Sequence, residues 1–508
     1  MKKWWPLVAI CLGTFMLLVD VTIVNVALPS MARGLHTSFE SLQWVIDGYA
    51  LALAALLLGI GSVADLMGLR RAYVAGLVVF AAASLVCGLA SDAGVLVAAR
   101  VVQGVGGAAM FATTGALIGA SYDGRDRGVA YGWWGAVSGA AAAIGPIIGG
   151  VLVQALSWRW IFFVNVPVSV LAIAMTLRYL RGGRPSSARR PDIAGTVTFT
   201  ASVGCLTYAV IRANEHGWAT GATYALIGAA AVSLAAFLVI ESRSRQAMLD
   251  LALFTNRSFV GTIIAALLIN FTAFAALTYS SIWLQTVIGL SPLAAGLTGL
   301  PLAATAFVVS AGIGRFVHGQ PGLVIAIGMT LAGAGSLLVA VLLHDGSSWP
   351  ALVPGFVVIG AGVGLCMPVL TSSAMSAVTP QRFGMAAGAV NTARQLGFAV
   401  GIAVLGSVFA DRAARSLQPR PGAASLSHAL AAGQTPRLLA GAGGGRSALD
   451  AALHQASISG LDGAFLIAGI GGVAAGIAAW TLIRPSPPQK TEHASADDDV
   501  STTQPVTL

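Results

Sequence analysis

Long apolar runs, interrupted only by short charged or Gly/Pro-rich segments, dominate this chain. Hydrophobic residues make up 56% of it and charged residues only 9%, whereas soluble domains carry about 25% charged residues. A helix needs about 20 apolar residues to cross the hydrocarbon core of a bilayer, and only helices and closed barrels satisfy their backbone there. Because the apolar character is continuous rather than alternating, the sequence predicts an all-α polytopic membrane protein and excludes a soluble one.

Fourteen membrane spans are predicted from the apolar runs and the punctuation between them. They group into an N-terminal six-helix half (1–180), a linker with two accessory helices (181–257) and a C-terminal six-helix half (258–483), followed by a flexible polar tail (484–508). A long outer loop within the last half (411–462) is rich in Gly, Ala and Ser and is expected to be flexible. The predicted spans lie near residues 5–29, 43–64, 72–90, 94–119, 128–153, 160–180, 193–212, 221–241, 258–281, 292–313, 321–343, 350–371, 384–410 and 463–483.

Basic residues are distributed unevenly between the two sides of this topology. Eighteen of the 28 Lys and Arg residues fall in the loops and termini of one side, and three in the short loops of the other. The positive-inside rule therefore predicts that both termini are cytoplasmic. Because topology explains the net charge of +9, no nucleic-acid partner is expected. The excess of Arg over Lys and the many Ala and Gly residues are typical of GC-rich bacteria, so the expected location is the bacterial cytoplasmic (inner) membrane.

Motifs for catalysis, metal binding or cofactor binding are missing from the sequence. The four cysteines, Cys11, Cys87, Cys205 and Cys366, lie in apolar runs without a CxxC spacing, and no HExxH or GxSxG motif is present. A Gly-x-Gly string beginning at Gly104 imitates a dinucleotide-binding fingerprint, but no predicted strand precedes it, and close helix packing explains it better. We therefore predict no catalytic residue, no metal site and no bound cofactor.

The segment between the second and third spans carries a distinctive string made of Gly61, Asp65, Gly68, Arg70 and Arg71. The glycines permit a tight turn and close helix approach, and Asp65 can cap the next helix or pair with a basic residue across the cytoplasmic face. The string resembles the loop signature of the major facilitator superfamily, which implies a cytoplasmic gating role. An ordinary charged loop is the alternative.

Three further strings extend this resemblance to the fourteen-span drug:proton antiporters of that superfamily. Span 1 contains Asp20 and Asn25 ahead of a proline, and span 4 contains Arg100 ahead of several glycines. A Gly-Pro element in span 5, where a kink is expected, is the string that the family links to antiport rather than symport. The resemblance implies the major facilitator fold, with two six-helix halves plus two extra central helices, and a proton gradient as the energy source. The span-5 element consists of Gly145, Pro146, Gly149 and Gly150.

Four charged residues, Asp20, Asp47, Arg100 and Arg394, lie inside predicted spans. An ionised Asp or Arg costs about 2.5–3.5 kcal/mol at the bilayer centre on insertion scales, so each is a functional candidate. Asp20 and Arg100 have overlapping depths, and we hypothesise that they are in contact. Arg100 would favour the carboxylate whereas burial would favour the neutral acid, which makes Asp20 a candidate proton carrier. The alternative is a permanent ion pair that only fixes helix packing.

The remaining candidates concern the substrate. Asp47 is interpreted as a second proton carrier or as an acid that attracts cationic substrates, with Trp44 and Tyr49 offering cation–π surfaces; an interfacial acid is the alternative. Arg394 has no predicted acidic partner, and a structural role is favoured over substrate contact. The candidate substrate-contacting residues are therefore Trp44, Tyr49, Asn25 and Arg394.

Together these features predict a proton-coupled antiporter that exports small lipophilic drugs or antibiotics, cationic ones among them, through the bilayer by alternating access. Uptake or facilitated diffusion of a metabolite by the same fold remains open, as does a membrane protein that does not transport. A membrane-embedded enzyme is disfavoured because its motifs are missing.

Overall fold

Helices account for nearly all of the chain that the computed structural model describes, which comprises residues 2–37, 39–180, 192–216, 219–244, 247–313, 320–418, 420–431, 433–440 and 446–483. A π-helical segment, Asn270–Ala275, joins two of the helices. The α-helices are α1 (Trp5–Leu35), α2 (Phe39–Met67), α3 (Leu69–Leu89), α4 (Ala93–Ser121), α5 (Gly124–Ala155), α6 (Trp160–Phe163), α7 (Asn165–Tyr179), α8 (Ile193–His216), α9 (Gly221–Arg243), α10 (Arg257–Ile269), α11 (Ala276–Thr286), α12 (Pro292–Leu297), α13 (Leu300–Ile313), α14 (Pro321–Leu342), α15 (Val353–Ser376), α16 (Phe383–Leu417), α17 (Ala423–Ala431), α18 (Thr435–Ala440) and α19 (Arg446–Leu482).

The described helices confirm the predicted all-α membrane fold. Thirteen helical segments of the described chain are long and apolar enough to span a bilayer. The predicted fifth span corresponds to α5, which is 32 residues long and contains some side chains outside the described set. Three of these spans contain two α-helices each: α6 with α7, α10 with α11 through the π-helical segment, and α12 with α13.

Helix continues through much of the segment predicted as a flexible loop over 411–462. In its described residues α16 extends to Leu417, α17 and α18 follow, and α19 begins at Arg446, well before the predicted start of the last span. Ala and Leu are strong helix formers, and Leu417 and Leu453 are buried, so the extensions pack against one another. An ion pair of 3.4 Å between Arg412 and Asp462 joins α16 to α19. The predicted tail, the linker over 181–191 and residues 441–445 lie outside the described residues.

Glycines set the close packing within each half. A Cβ on Gly104 of α4 would lie 2.6 Å from the Tyr49 carbonyl oxygen of α2, and one on Gly106 would lie 2.6 Å from the Phe80 amide nitrogen of α3. In the C-terminal half, a Cβ on Gly364 would lie 2.6 Å from the Ala306 carbonyl oxygen. Small residues therefore let the helix backbones approach closely, as predicted.

The ends of the helices form two opposite faces of the bundle. Alternation of the helices places the starts of α1, α3, α5, α10 and α16 on one side, here called the terminal face. Lys3 and Asp126 form an ion pair there, and Asp250 pairs with Arg382. The opposite face carries Asp92, whose side chain caps α4.

Candidate functional site

The Asp20 carboxylate on α1 lies against the Arg100 guanidinium on α4. The distance from Arg100 Nη1 to Asp20 Oδ2 is 2.6 Å, and the two side chains are 0% and 1% exposed. Arg100 also donates from Nε to the Val45 carbonyl oxygen of α2 at 3.0 Å, and its guanidinium carbon lies 4.1 Å from the Tyr49 ring centroid. The hypothesised contact between Asp20 and Arg100 is confirmed.

Three polar side chains complete the network around this ion pair. Gln103 accepts from Arg100 at 2.8 Å and donates to Asp20 Oδ1 at 3.0 Å, while Asn165 of α7 donates to the same Oδ1 at 2.8 Å. Both amides also donate to the hydroxyl of Ser84 on α3, and that hydroxyl donates to the Phe162 carbonyl oxygen. The network therefore joins four helices of the N-terminal half and is sealed inside it.

This geometry suits the ionised form of Asp20. Its Oδ1 accepts two hydrogen bonds and its Oδ2 accepts the ion-pair bond, so both oxygens face donors. Three of the roughly four lone-pair sites of the carboxylate therefore accept hydrogen bonds from side chains of the network. Because removing one partner of a buried ion pair leaves an uncompensated charge, the pair is also strongly coupled to the stability of the half.

The span-5 element packs on α1 one half-turn beyond Asp20. A Cβ on Gly145 would overlap the Thr22 hydroxyl and lie 3.2 Å from the Val19 carbonyl oxygen, so only glycine fits there. A hydrogen bond of 3.1 Å from Trp134 Nε1 to Thr14 Oγ1 forms a second link between α5 and α1. The side chain of Pro146 lies outside the described residues, and the expected kink stays a prediction.

The same helix α5 also touches the C-terminal half. The Ser310 hydroxyl of α13 donates to the Gly132 carbonyl oxygen at 3.0 Å, and a Cβ on Gly150 would lie 3.8 Å from the Leu293 side chain of α12. Gly149 is buried. Helix α5 thus packs on α1 at the level of the ion pair and on both α12 and α13 across the interface between halves.

The loop signature contacts the start of α16 at the terminal face. Asp65 accepts hydrogen bonds from the backbone amides of Gly384 at 2.7 Å and Met385 at 2.9 Å, both in the first turn of α16. A Cβ on Gly61 would overlap the Gly384 carbonyl oxygen. The expectation that Asp65 caps the next helix is thus corrected: it caps a helix of the other half, because α2 ends beside the amino terminus of α16, where a carboxylate is favoured.

The rest of the loop signature shapes the turn between α2 and α3. Gly68 has a φ of 92°, in the left-handed region that favours glycine. Arg70 donates to the Leu177 carbonyl oxygen at the end of α7 at 2.6 Å, and Arg71 is exposed. These residues position the loop rather than touch α16.

The structure does not gather the candidate substrate-contacting residues at one place. Trp44 packs against Tyr208 of the accessory helix α8 with ring centroids 5.6 Å apart, and Tyr49 is buried against Arg100. Asp47 is half-buried on α2. The side chain of Asn25 lies outside the described residues. The cation over Tyr49 is therefore the protein's own arginine.

Arg394 lies on α16 between the two halves. Its guanidinium carbon is 5.6 Å from the ring centroid of Phe111 on α4, and its Nη1 donates to Asn391 Oδ1 at 3.3 Å. Asn391 in turn donates to the Phe111 carbonyl oxygen at 3.1 Å. Among the described residues Arg394 thus reaches α4 through Asn391 and the Phe111 ring rather than through a bond of its own to a backbone carbonyl.

Sequence reasoning left three members of the network out of the candidate site. Gln103 could have been found, because it follows Arg100 by three residues and so shares its helical face. Asn165 could have been found as an isolated amide inside an apolar run. Ser84 carries no such signal, since single hydroxyl residues are common in membrane helices.

A bundle of membrane helices in two halves, with a buried ion pair in one half and a helix cap that joins the two halves, is typical of a membrane transporter rather than of an enzyme. The chain belongs to the Major Facilitator Superfamily, whose sequence model matches residues 10–402. Two solved structures share the fold: the human organic anion transporter MFSD10 (TM-score 0.60, 15% identity, 92% of this chain and 99% of that one) and the proton:xylose symporter XylE (TM-score 0.59, 13% identity, 95% and 96%).

Several relatives in sequence are named as resistance or export proteins. The multidrug resistance protein Stp of Mycobacterium tuberculosis is 37% identical over 417 residues, which cover 81% of this chain and 77% of Stp. The tetracenomycin C resistance and export protein of Streptomyces glaucescens is 33% identical over 497 residues, covering 94% of this chain and 92% of that protein. The puromycin resistance protein of Streptomyces alboniger is 35% identical over 412 residues, covering 80% and 82%. These relatives agree with the predicted branch of the superfamily.

Proposed function

We propose that the chain is a proton-coupled antiporter that exports small lipophilic drugs or antibiotics across the bacterial cytoplasmic membrane by alternating access. The observation that carries the proposal is the Asp20–Arg100 pair, fully buried and held by donors from two other side chains. The names of the relatives, which are resistance and export proteins, support the substrate class and the outward direction. The proton gradient supplies the energy, with no resident cofactor and no nucleic-acid partner.

The terminal face is assigned to the cytoplasm. The excess of Lys and Arg in the loops on this side supports the assignment by the positive-inside rule, and it makes both termini cytoplasmic. The described conformation is then closed toward the cytoplasm by the Asp65 cap on α16. Arg100 lies seven residues from the outer start of α4, about 10 Å at 1.5 Å per residue, so a proton from outside has a short path to Asp20.

Proton binding at Asp20 is proposed to change how α1 packs. A proton from the outside adds to a carboxylate oxygen, and the ion pair with Arg100 weakens because the acid becomes neutral. Thr22 moves with α1, and its side chain lies directly against Gly145 of α5. At another point along its length, α5 contacts Ser310 of α13, so a shift of α1 can reach the interface between the halves through α5. Release of the proton to the cytoplasm restores the ion pair and resets the packing.

The charge of the substrate is a separate part of the proposal. Asp47 is the acid that a cationic substrate or a second proton would meet, and its half-buried position on α2 is compatible with both. Tyr49 does not provide a cation–π surface for a cationic substrate, because the Arg100 guanidinium already lies over its ring. The cationic version therefore depends on Asp47 alone.

Everted membrane vesicles that contain the full chain test the proposal. An imposed proton gradient should drive accumulation of a fluorescent lipophilic dye by the wild type, and an uncoupler should abolish it. Asp20→Asn should lose this accumulation but retain downhill dye exchange, whereas Asp126→Asn, which removes only the surface pair with Lys3, should behave like the wild type.

Two results would contradict the proposal. Full uncoupler-sensitive accumulation by Asp20→Asn would mean that the ion pair only fixes helix packing. If the wild type moves the dye equally well with and without a proton gradient, inward and outward, the protein catalyses facilitated diffusion instead.

A further inference from the structure

Arg394 sits near the middle of the membrane at the interface between the two halves. It lies eleven residues beyond the start of α16, about 17 Å at 1.5 Å per residue, in a hydrocarbon core about 30 Å thick. Its neighbour across the interface, Phe111, lies at a similar depth on α4. Transporters built from two halves bind their substrates near this depth and at this interface.

The guanidinium of Arg394 is poorly satisfied by the protein. Among the described residues no carboxylate lies within ion-pair distance of it, its hydrogen bond to Asn391 is long at 3.3 Å, and its Nε has no acceptor. A guanidinium offers five N–H donors and is always charged. A buried donor without an acceptor is costly, so this group needs acceptors that the described residues do not supply.

An aromatic ring lies beside these donors. The Arg394 side chain is half-buried rather than sealed, unlike Arg100. The Phe111 ring, itself buried, lies 5.6 Å from the guanidinium carbon. Asn391 is anchored on the Phe111 carbonyl oxygen, which holds the amide in place beside the arginine.

We propose that Arg394 binds an anionic oxygen acceptor, such as an ionised phenol or a carboxylate, on a lipophilic substrate. This inference rests on the proposed export function and adds a substrate class to it. Arg394 donates to the acceptor, and Asn391 keeps the guanidinium oriented. The favoured substrate is then a lipophilic acid rather than a lipophilic cation.

Equilibrium binding to the purified full chain in lipid nanodiscs tests the inference without any gradient. The probes are a hydroxynaphthoquinone, which is flat and carries ionised and carbonyl oxygens, and tetraphenylphosphonium, a lipophilic cation. Arg394→Gln should weaken hydroxynaphthoquinone binding roughly 10- to 100-fold, the effect of a lost charged hydrogen bond, and Arg394→Lys should restore part of it. Tetraphenylphosphonium binding should not weaken.

Arg415→Gln is the matched control, because Arg415 lies on the same helix, is exposed and pairs only with Asp411 on the surface. It should bind the hydroxynaphthoquinone like the wild type. Wild-type protein that fails to bind this probe, equal affinity in Arg394→Gln, or an equal loss for both probes would overturn the inference. Asp20→Asn should still bind the probe, so a failure of proton coupling in vesicles would be distinguishable from a failure of this site.

Discussion

The two arginines inside the membrane, Arg100 in the N-terminal half and Arg394 in the C-terminal half, have opposite surroundings. Arg100 is 1% exposed and donates to Asp20, Gln103 and the Val45 carbonyl. Arg394 is half-buried and, within the described part of the chain, makes one long side-chain hydrogen bond, to Asn391. The same charged group thus has two kinds of environment: in one half it lies in a closed network around a buried carboxylate, and in the other half it has a long hydrogen bond and an Nε without an acceptor among the described residues.

Stability measurements should separate the two arginines most strongly. Arg100→Met leaves Asp20 buried without its counter-charge and should lower the free energy of unfolding by about 3–5 kcal/mol. Arg394→Met removes a charge that has no ionic partner among the described residues, so the free energy of unfolding should change little or rise. Thermal unfolding in detergent micelles, with Arg415→Met as the surface control, would measure both.

The comparison can be tested further by pairing substitutions. Arg100→Met combined with Asp20→Asn should recover a large part of the loss, because no unpaired charge remains. Equal losses for Arg100→Met and Arg394→Met, or no recovery in the double variant, would break the contrast between a closed network and an open donor.

A smaller effect is expected where α5 packs on α1 beside Asp20. Gly145→Ala places a methyl group on the Thr22 hydroxyl and should lower the free energy of unfolding by about 1–3 kcal/mol, with loss of proton-driven transport. Thr22→Ala in the same chain should restore part of both. Gly228→Ala is the matched control, because a Cβ at Gly228 of α9 meets nothing within 4 Å.

Transport would be followed in everted vesicles and stability by thermal unfolding. Unchanged transport in Gly145→Ala would show that the contact between α5 and α1 does not couple the ion pair to the interface with α13. If Gly228→Ala lowered transport and the free energy of unfolding by similar amounts, the effect of Gly145→Ala would reflect general helix packing only.

Much of this arrangement follows from the sequence, for identifiable physical reasons. Continuous apolar runs and the positions of charged residues predict the spans, because only helices and closed barrels satisfy their backbone hydrogen bonds inside a bilayer. The contact between Asp20 and Arg100 is predictable from their matching depths, since two buried opposite charges at one level have few other partners. Gln103 is predictable as a member of the network too, because it follows Arg100 by three residues and so shares its helical face.

Other features depend on tertiary contacts that the sequence does not reveal. Asp65 caps α16, more than 300 residues further along the chain, and only the packing of the halves brings the two together. Trp44 and Tyr49 are near Asp47 in sequence but contact Tyr208 and Arg100 instead. The helices over 411–462 depend on buried leucines such as Leu417 and Leu453, whose packing partners lie far along the chain and are not evident from a composition rich in Gly and Ser.

Proton release by the purified full chain would test the central claim, that Asp20 is the exchanging carboxylate, most directly. Adding a dye that the vesicle assay shows to be transported, in weakly buffered solution with a pH indicator, should release protons from the wild type and from Asp126→Asn. Asp20→Asn should release none while it still binds the dye. Equal proton release by Asp20→Asn, or none by the wild type, would contradict the account.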